Sequence, residues 1–589
     1  MFTKILIANR GEIAVRVARS CRALGIESVA VYSTADAGSL HVRVADTAVD
    51  LGDGPASGNY LNIAKIIAAA VESGAQAIHP GYGFLSENPD FAEAVAAAGL
   101  TFIGPSAHAI TTMGGKVAAR DVAIRVHVPL APGTGAIPNA AAVEAFGAEH
   151  GYPVLVKASA GGGGRGMRRI NTEAEARDAY DAAVREATAA FGNGEVYLER
   201  YLTHARHVEV QVFADTHGNV VYVGDRDCSV QRRHQKLIEE SPAPGLSDAL
   251  RQAMGESAVR LAREVGYVGA GTVEFLVEDE KFYFLEMNTR IQVEHPVTEM
   301  VHGVDLIAEQ IRVAAGEKLS IMGNLAPRGA AIEARINAED VAEGLFLPAP
   351  GPVDVLKAPE GEGLRFDAGY ESGDTVLPLY DSLIGKLIAY GPDRGTAIQR
   401  LLDGLDRLQI EGVPTTAPAA RIIASHPDFQ ELRFSTLWLE ESVDFSEPEP
   451  VDRANVEVGG RFYIIPTFND YGTAGGYGSA GGYGAPAPAD APATDSSAAV
   501  GRTRQARARR EAVSDGTVKA PMQGTIVKIN VVPGQKVAKG DVMFVLEAMK
   551  MENPIAAPMA GVVGDITAGI GESLAAGTLL TKVTEEAAA

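Results

Sequence analysis

Two glutamates in one hairpin are the first residues of this sequence whose placement suggests chemistry. The runs Gly271–Val277 and Lys281–Asn288 flank a short acidic turn. Pairing them about residue 280 sets Glu274 opposite Glu286, Thr272 opposite Asn288 and Leu276 opposite Phe284. Opposed residues of an antiparallel pair share a face and lie about 5 Å apart. Two carboxylates there repel unless something positive sits between them. A hard divalent cation, Mg2+ or Mn2+, bridging to phosphate oxygens would answer that. A solvated sheet edge would also tolerate the pair.

Lys157 closes the apolar run Val154–Val156. An ammonium there is costly without an anionic partner, and a nucleotide phosphate is one such partner. The segment Gly161–Gly166 holds a G-x-G-x-x-G pattern, but Met167–Ile170 after it reads as a strand. A dinucleotide fold needs a helix at that place. A hairpin loop whose N–H groups close over phosphates fits better, with a plain surface loop as the other reading.

The third feature is a lysine set in an internal repeat. Ala520-Pro521-Met522-Gln523-Gly524 returns as Ala557-Pro558-Met559-Ala560-Gly561, an offset of 37 residues, and Gly534/Gly571, Val537/Leu574 and Gly540/Gly577 share it. Two similar β-rich halves of this size predict a small barrel or sandwich with approximate twofold symmetry. Their junction puts Lys550 on a hairpin turn between Val542–Ala548 and Met551–Ala557. Turns favour Gly, Asn, Asp or Pro. A lysine between two methionines instead offers a long, unhindered amine at the end of a rigid post.

The elements that position these residues follow from hydrophobic period. Lys4–Asn9 and Ser28–Ser33 read as buried strands around a helix over Gly11–Gly25, with Ile13, Val17, Cys21 and Leu24 on one face. Ala77–His79 and Thr101–Ile103 are further strands around the helix Phe91–Ala98. This β-α-β rhythm predicts a parallel sheet with crossover helices. From about Gly151 longer hairpin-like strands such as HVEVQVFAD and VVYVGDRD alternate with helices, an α+β pattern on antiparallel sheet. Val456–Thr467 looks like a short hairpin. Residues 470–499 are rich in Gly, Ala, Pro and Ser, which cannot offset their ordering entropy by burial, so a disordered linker is expected. Gly501–Arg510 carries five arginines, read as a solvated continuation of it.

At 589 residues the chain needs several cores. Its 52 Lys and Arg against 75 Asp and Glu give a net charge of −23, which argues against a nucleic-acid partner. No apolar run of about twenty residues predicts a membrane span. No secretory leader is read at the start, and two cysteines, Cys21 and Cys228, do not suggest a disulfide framework, so a cytoplasmic location is expected.

The junction Ala548-Met549-Lys550-Met551 resembles the attachment signal of biotinyl carrier domains; the lysine of the similar lipoyl domain usually follows Asp. The stretch Glu286-Met-Asn288-Thr-Arg290-Ile-Gln292-Val-Glu294-His-Pro296 resembles the biotin carboxylase branch of the ATP-grasp enzymes. So do Lys157–Met167, Arg226–Lys236 and Glu333–Asp340, and the likeness covers nearly residues 1–445 before resuming in the last segment. One departure is Asp121–Pro129, where such enzymes more often show a Gly before the Val-Pro.

The resemblance implies a multidomain α/β and α+β fold. Its parts are a Rossmann-like pre-ATP-grasp domain (1–114), an ATP-grasp domain (115–328) with a mobile lid at about 131–203, and a small C-terminal α+β domain (329–445). A flexible linker (446–513) then leads to an all-β biotinyl domain, a flattened barrel (514–586). The implied activity is ATP- and bicarbonate-dependent carboxylation of biotin held on Lys550, as the α subunit of an acetyl- or propionyl-CoA carboxylase, a fatty acid biosynthesis role. Lys116, Lys157 and the loop glycines Gly163 and Gly164 would contact ATP phosphates; Glu199 and Leu202 the adenine edge; His207, Gln231 and His234 the nucleotide pocket. Glu274, Glu286 and Asn288 would hold Mg2+ or Mn2+. Lys236, Arg290, Gln292 and Val293 would hold bicarbonate, Glu294 would deprotonate it for attack on the γ-phosphate, and Arg335 would stabilise the enolate of biotin. Tyr82 would lie near the biotin end of the cleft. Cations about the phosphoryl group would supply most of the stabilisation.

No transferase region is read after the linker, so a carboxyltransferase β subunit is the expected partner. A biotin protein ligase, a small accessory subunit and further copies of the chain are expected beside it. The alternatives are another ATP-grasp ligase such as a carbamoyl-phosphate synthase, which uses no tethered biotin, and a non-catalytic carrier or scaffold.

Overall fold

The computed structural model describes residues 1–159, 167–191, 193–321, 325–445, the strands Asp452–Val458 and Arg461–Thr467, and residues 516–521, 524–548, 551–574 and 577–584. Residues 1–445 build one compact unit and the C-terminal part builds a second.

The first unit opens with five parallel strands in the order Thr47–Asp50, Glu27–Tyr32, Lys4–Ile7, Ala77–His79, Thr101–Phe102. Ile5, Leu6, Ile7, Val29 and Val31 are all buried, as a sheet covered by helices on both faces requires. The helix Gly11–Ala23 buries Ile13, Val17 and Cys21. Strand order reverses between Lys4–Ile7 and Ala77–His79, and the carboxyl ends of such a pair open a crevice. Glu12 and Tyr82 follow those two strands.

The central element is an eight-stranded antiparallel sheet. Its order is Lys281–Asn288, Gly269–Glu278, Arg206–Ala214, Val220–Arg232, Gln235–Ser241, Ala330–Asn337, Leu383–Gly391, Leu364–Ala368. Gln235–Ser241 pairs with Ala330–Asn337 through Ile238/Ala334 and Glu239/Glu333. The sheet therefore runs without a break across residue 329, where the resemblance places a domain boundary. A smaller sheet, Gly133–Ala136, Val196–Arg200, Val154–Ala158, Met167–Ile170, packs on the helices Ala140–His150 and Ala176–Phe191.

The glutamate hairpin departs from simple pairing in one place. Asp279 and Glu280, at φ 51° and 57°, make a two-residue turn that pairs Glu278 with Lys281. This is the primed turn geometry that matches strand twist. Phe275 then pairs with Phe284 and Leu276 with Tyr283, not with Phe284. A bulge at exposed Leu285 slips the register by one residue, and beyond it Glu274 meets Glu286 and Thr272 meets Asn288 as expected.

In the second unit Asp452–Val458 and Arg461–Thr467 form an antiparallel hairpin. The two four-stranded sheets after it follow the repeat. One is ordered Thr517–Lys519, Leu579–Thr584, Gly561–Val563, Lys536–Val537, and the other Met551–Ala556, Val542–Ala548, Gly524–Ile529, Ser573–Leu574. A shift of 37 residues carries each strand of one sheet onto its counterpart in the other. Gly534 and Gly571 (φ 84° and 86°) and Gly540 and Gly577 (95° and 81°) hold matching left-handed turns. Ile526, Phe544, Leu546, Leu580 and Val583 fill the core. Lys550, like the linker and its arginines, lies outside the described residues, between the strands ending at Ala548 and beginning at Met551.

Candidate active site

A row of charges crosses the central sheet. The strand Arg206–Ala214 turns His207, Glu209 and Gln211 to one face, alternating with buried valines. Glu209 pairs with Arg226 on one side and Glu274 on the other, and Glu274 pairs with Glu286. Arg226, Glu209, Glu274 and Glu286 thus stand side by side on four strands. Arg226 is fully buried and uses its whole fork: Nε donates to Glu209 (2.5 Å), Nη1 to Gln211 (2.9 Å) and Thr298 (3.0 Å), Nη2 to Thr272 (3.2 Å) and Gln292 (2.9 Å).

Lys236 completes the cluster. The hairpin turn at Arg233 and His234, both at positive φ, pairs Gln231 with Lys236. The Lys236 ammonium lies 2.7 Å from Glu209, 2.6 Å from Glu294 and 3.3 Å from Glu274. Burial works against its charge, but the acidic groups around it hold its pKa well above the ordinary lysine value. Glu294 also accepts from Arg335 (3.0 Å), whose Nε donates to Glu239 (2.6 Å). Burial opposes ionisation of Glu294, yet Lys236 and then Arg335 and Arg226 hold its carboxyl well below the usual range.

The two hairpin glutamates are driven apart. Glu274 faces burial, but Lys236 and His207, whose Nε2 lies 3.2 Å away, keep it far below an ordinary carboxyl; Asn288 (2.9 Å) and Gln292 (2.8 Å) also donate to it. Glu286, exposed at the side-chain level, is pushed up by desolvation and by the charge of Glu274. Carboxylate and amide oxygens of Glu274, Glu286 and Asn288 are hard donors on adjacent strands, so the set fits Mg2+ or Mn2+. Arg290 is held by Glu87 (2.8 Å), donates to Asn288 (3.0 Å), and so joins the same group.

Other candidates gather elsewhere. Lys157 and Arg120 both pair with Glu199, two strands of the smaller sheet and the helix Lys116–Arg125 meeting there. Lys157 is thus held by Glu199 on the neighbouring strand. Leu202 is buried, while Lys116, which opens its helix, and His234 are exposed. The Tyr82 hydroxyl donates to Glu12. Gly163 and Gly164 lie outside the described residues. Sequence reasoning missed Arg226, Glu209, Glu239, Glu87, Glu12 and Lys386. A signal existed for two: His-Val-Glu-Val-Gln alternates polar residues within a buried strand, and Lys386 interrupts the apolar run Leu383–Gly391.

Models of known families match four segments: the biotin carboxylase N-terminal domain over residues 1–110, the ATP-binding domain of the carbamoyl-phosphate synthase L chain over 115–322, the biotin carboxylase C-terminal domain over 333–441, and a biotin-requiring enzyme domain over 516–583. The ATP-binding domain alone would suit either ligase class; its neighbours on both sides belong to biotin carboxylases. The chain is 45% identical to the biotin-dependent acyl-coenzyme A carboxylase alpha3 subunit of Mycobacterium leprae, over 98% of both chains. It is 39% identical to the propionyl-CoA carboxylase alpha chain of Ruegeria pomeroyi, over 98% of this chain and 99% of that one. A crystal structure of a biotin carboxylase ATP complex from Campylobacter jejuni superposes with a TM-score of 0.71 and 46% identity, covering 75% of this chain and 99% of that one. With its carboxylase, ATP-grasp and biotinyl parts all matched in one chain, this protein belongs to the biotin-dependent acyl-CoA carboxylase α subunits.

Proposed function

We propose that this chain carboxylates biotin carried on its own Lys550, with Glu294 as the residue that takes the proton of bicarbonate. The observation that supports the role is the double pairing of Glu294, with Lys236 on one oxygen and Arg335 on the other. A carboxylate held so far below its usual range is ionised at neutral pH but is a weak base. Bicarbonate, held by Arg290 and drawing Lys236 toward its own oxygens, would loosen that grip and raise the basicity of Glu294 beside the proton to be removed. The freed bicarbonate oxygen then attacks the γ-phosphorus of ATP, and the bond to the β–γ bridging oxygen breaks. Lys116 and Lys157 neutralise phosphate charge in this reading, Glu199 and Leu202 meet the adenine, and His207, Gln231 and His234 line the pocket. Glu274, Glu286 and Asn288 hold Mg2+ or Mn2+, which when bound neutralises charge on the phosphates. Arg335, beside Glu294, favours the anionic form of the ureido group of biotin, and Tyr82 borders that end of the cleft.

As an acyl-CoA carboxylase α subunit the protein works with a carboxyltransferase partner. We infer acetyl-CoA or propionyl-CoA as the acceptor on that partner, a biotin protein ligase acting on Lys550, self-association within the complex, and a cytoplasmic setting. Among the described residues no helix is long and apolar enough to cross a membrane. The test is bicarbonate-dependent ATP hydrolysis with free biotin. The wild-type protein should show it and Glu294→Gln should lose it while still binding ATP; wild-type rates in the variant would reject Glu294 as the base.

A further inference from the structure

Glu294 closes a short irregular segment. Between the strand Lys281–Asn288 and the helix His295–His302 the chain runs through Arg290, Ile291, Gln292 and Val293 without regular structure. Its side chains are tied to the cluster described above. Its carbonyls are tied in turn: Ile291 accepts from Arg290 (3.2 Å), Gln292 from His295 Nδ1 (2.8 Å), and Val293, the residue before Glu294, from the buried Lys386 ammonium (2.7 Å). Lys386 is completely buried, near the middle of Leu383–Gly391, opposite Arg335 on one neighbouring strand and Asp367 on the other.

The same ammonium lies 3.1 Å from Glu12 Oε1, which also accepts from the Tyr82 hydroxyl. Glu12 is 3% exposed, and its Oε2 has no hydrogen-bond partner among the described residues. One carboxylate oxygen therefore joins Tyr82, from the N-terminal crevice, to a lysine that grips the residue before Glu294. The charged groups facing Lys386 are Glu12, Glu333 and Asp367, with Arg365 of like sign. Burying a lysine and a glutamate in this way is expensive, and an apolar pair of similar volume is often as stable or more so. What a methionine at 386 could not do is fix a carbonyl.

We propose that Tyr82, Glu12 and Lys386 form a positioning relay that holds the Val293 carbonyl, sets the Glu294 carboxylate between Lys236 and Arg335, and ties its placement to the crevice lined by Tyr82. The proposal rests on Glu294 being the proton acceptor. None of the three is required to touch the reacting atoms for this role. A loosened turn would let Glu294 drift from its two cations, lowering the rate and letting its carboxyl titrate nearer the ordinary range.

The test uses the full-length biotinylated protein with Lys386→Met, Glu12→Gln and Tyr82→Phe, assayed for bicarbonate-dependent ATP hydrolysis with free biotin across pH. Lys386→Met and Glu12→Gln should lower kcat by roughly 10- to 100-fold, the cost typical of supporting residues. KM for ATP should stay within about threefold, since the relay makes no phosphate contact, and the acid limb of kcat/KM for bicarbonate should move to higher pH as Glu294 loses its cations. The double variant should be no worse than the poorer single one, because the residues act as one unit. A purely structural role would lower the yield of folded protein yet leave the pH profile in place. If Lys386→Met does not fold, Glu12→Gln and Tyr82→Phe, which each remove one hydrogen-bonding function, carry the test. Folded variants with the wild-type kcat and acid limb overturn the relay. An active Glu294→Gln would instead remove the assignment on which it rests.

Discussion

Glu333 is an acid without a partner. It lies in the middle of Ala330–Asn337, opposite Glu239 on one neighbouring strand and Ile388 on the other, and is fully buried. Neither of its carboxyl oxygens has a hydrogen-bond partner among the described residues. Burial pushes its pKa well above the ordinary value, and Lys386 does not reverse this. In the unfolded chain Glu333 ionises near pH 4.3, whereas in the fold burial holds the proton to higher pH. Stability should therefore be greatest at or below that pH and decline as pH rises toward the folded pKa, by about 1.4 kcal/mol for each pH unit in between. Glu333→Gln keeps the shape and the neutral state but cannot ionise in either state. Between the unfolded and the folded pKa the variant should gain on the wild type by about 1.4 kcal/mol for each pH unit. Trp438, the single tryptophan of the chain, reports this directly. It is buried in the core that contains Ile332 and Ala334, the residues on either side of Glu333. Urea unfolding followed by its fluorescence at several pH values gives the two stability curves. Curves that stay parallel from about pH 4 upward would refute a raised pKa at Glu333.

Removing the fork of Arg226 by Arg226→Met leaves Glu209 with Lys236 alone, takes the donors from Gln211, Thr272, Gln292 and Thr298, and should cost about 3–5 kcal/mol by the same urea measurement. Lys550→Arg should abolish biotin labelling while ATP hydrolysis with free biotin continues. Gly516→Ala should give the same split for a different reason: at φ 72° an added Cβ would lie 1.8 Å from the Val583 carbonyl, so the small barrel loses its first strand while residues 1–445 are untouched. Chelating divalent ions should stop hydrolysis in the wild type, and Glu274→Gln should raise the Mg2+ concentration needed for half-maximal rate; an unchanged requirement would exclude Glu274 as a ligand.

Local pairing made part of this site legible. Glu274 and Glu286 are joined by one tight turn, so their meeting could be read from alternation, although the bulge at Leu285 hid the pairing of Leu276. The parallel strands and the twofold barrel were legible for a similar reason, being written in short periods and a direct repeat. The charged row was not. Arg226, Glu209 and Glu274 lie far apart along the chain, and only the strand order Gly269–Glu278, Arg206–Ala214, Val220–Arg232 aligns them. The sheet across residue 329 was hidden by chemistry: Lys236-Leu-Ile-Glu239-Glu240-Ser241 reads as a half-polar surface strand, yet both glutamates are buried. Lys157 shows the limit of a single residue: a lysine in an apolar strand asks for an anion without saying which, and Glu199 offers one from the neighbouring strand.

The charges around Glu294 explain why so many acids can share one buried patch. Glu209, Glu274, Glu294, Glu239 and Glu333 face Lys236, Arg226 and Arg335. Five ionised carboxylates against three cations would be strongly repulsive. Burial lifts Glu239 to about 7 and Glu333 well above its usual value, while Glu209, Glu274 and Glu294 are paired with cations. Lifting these two acids relieves part of that repulsion, and His207 beside Glu274 adds to the positive side. The cations of the patch are already engaged by carboxylates before a triphosphate and bicarbonate arrive. Anions of that size must then either bring cations with them or draw Lys236 and Arg335 off the carboxylates. Glu286, raised in pKa beside Glu274, is the carboxyl best placed to ionise when a divalent ion arrives. In the proposed mechanism, loosening the hold of Lys236 and Arg335 would also turn Glu294 from a spectator ion into a base.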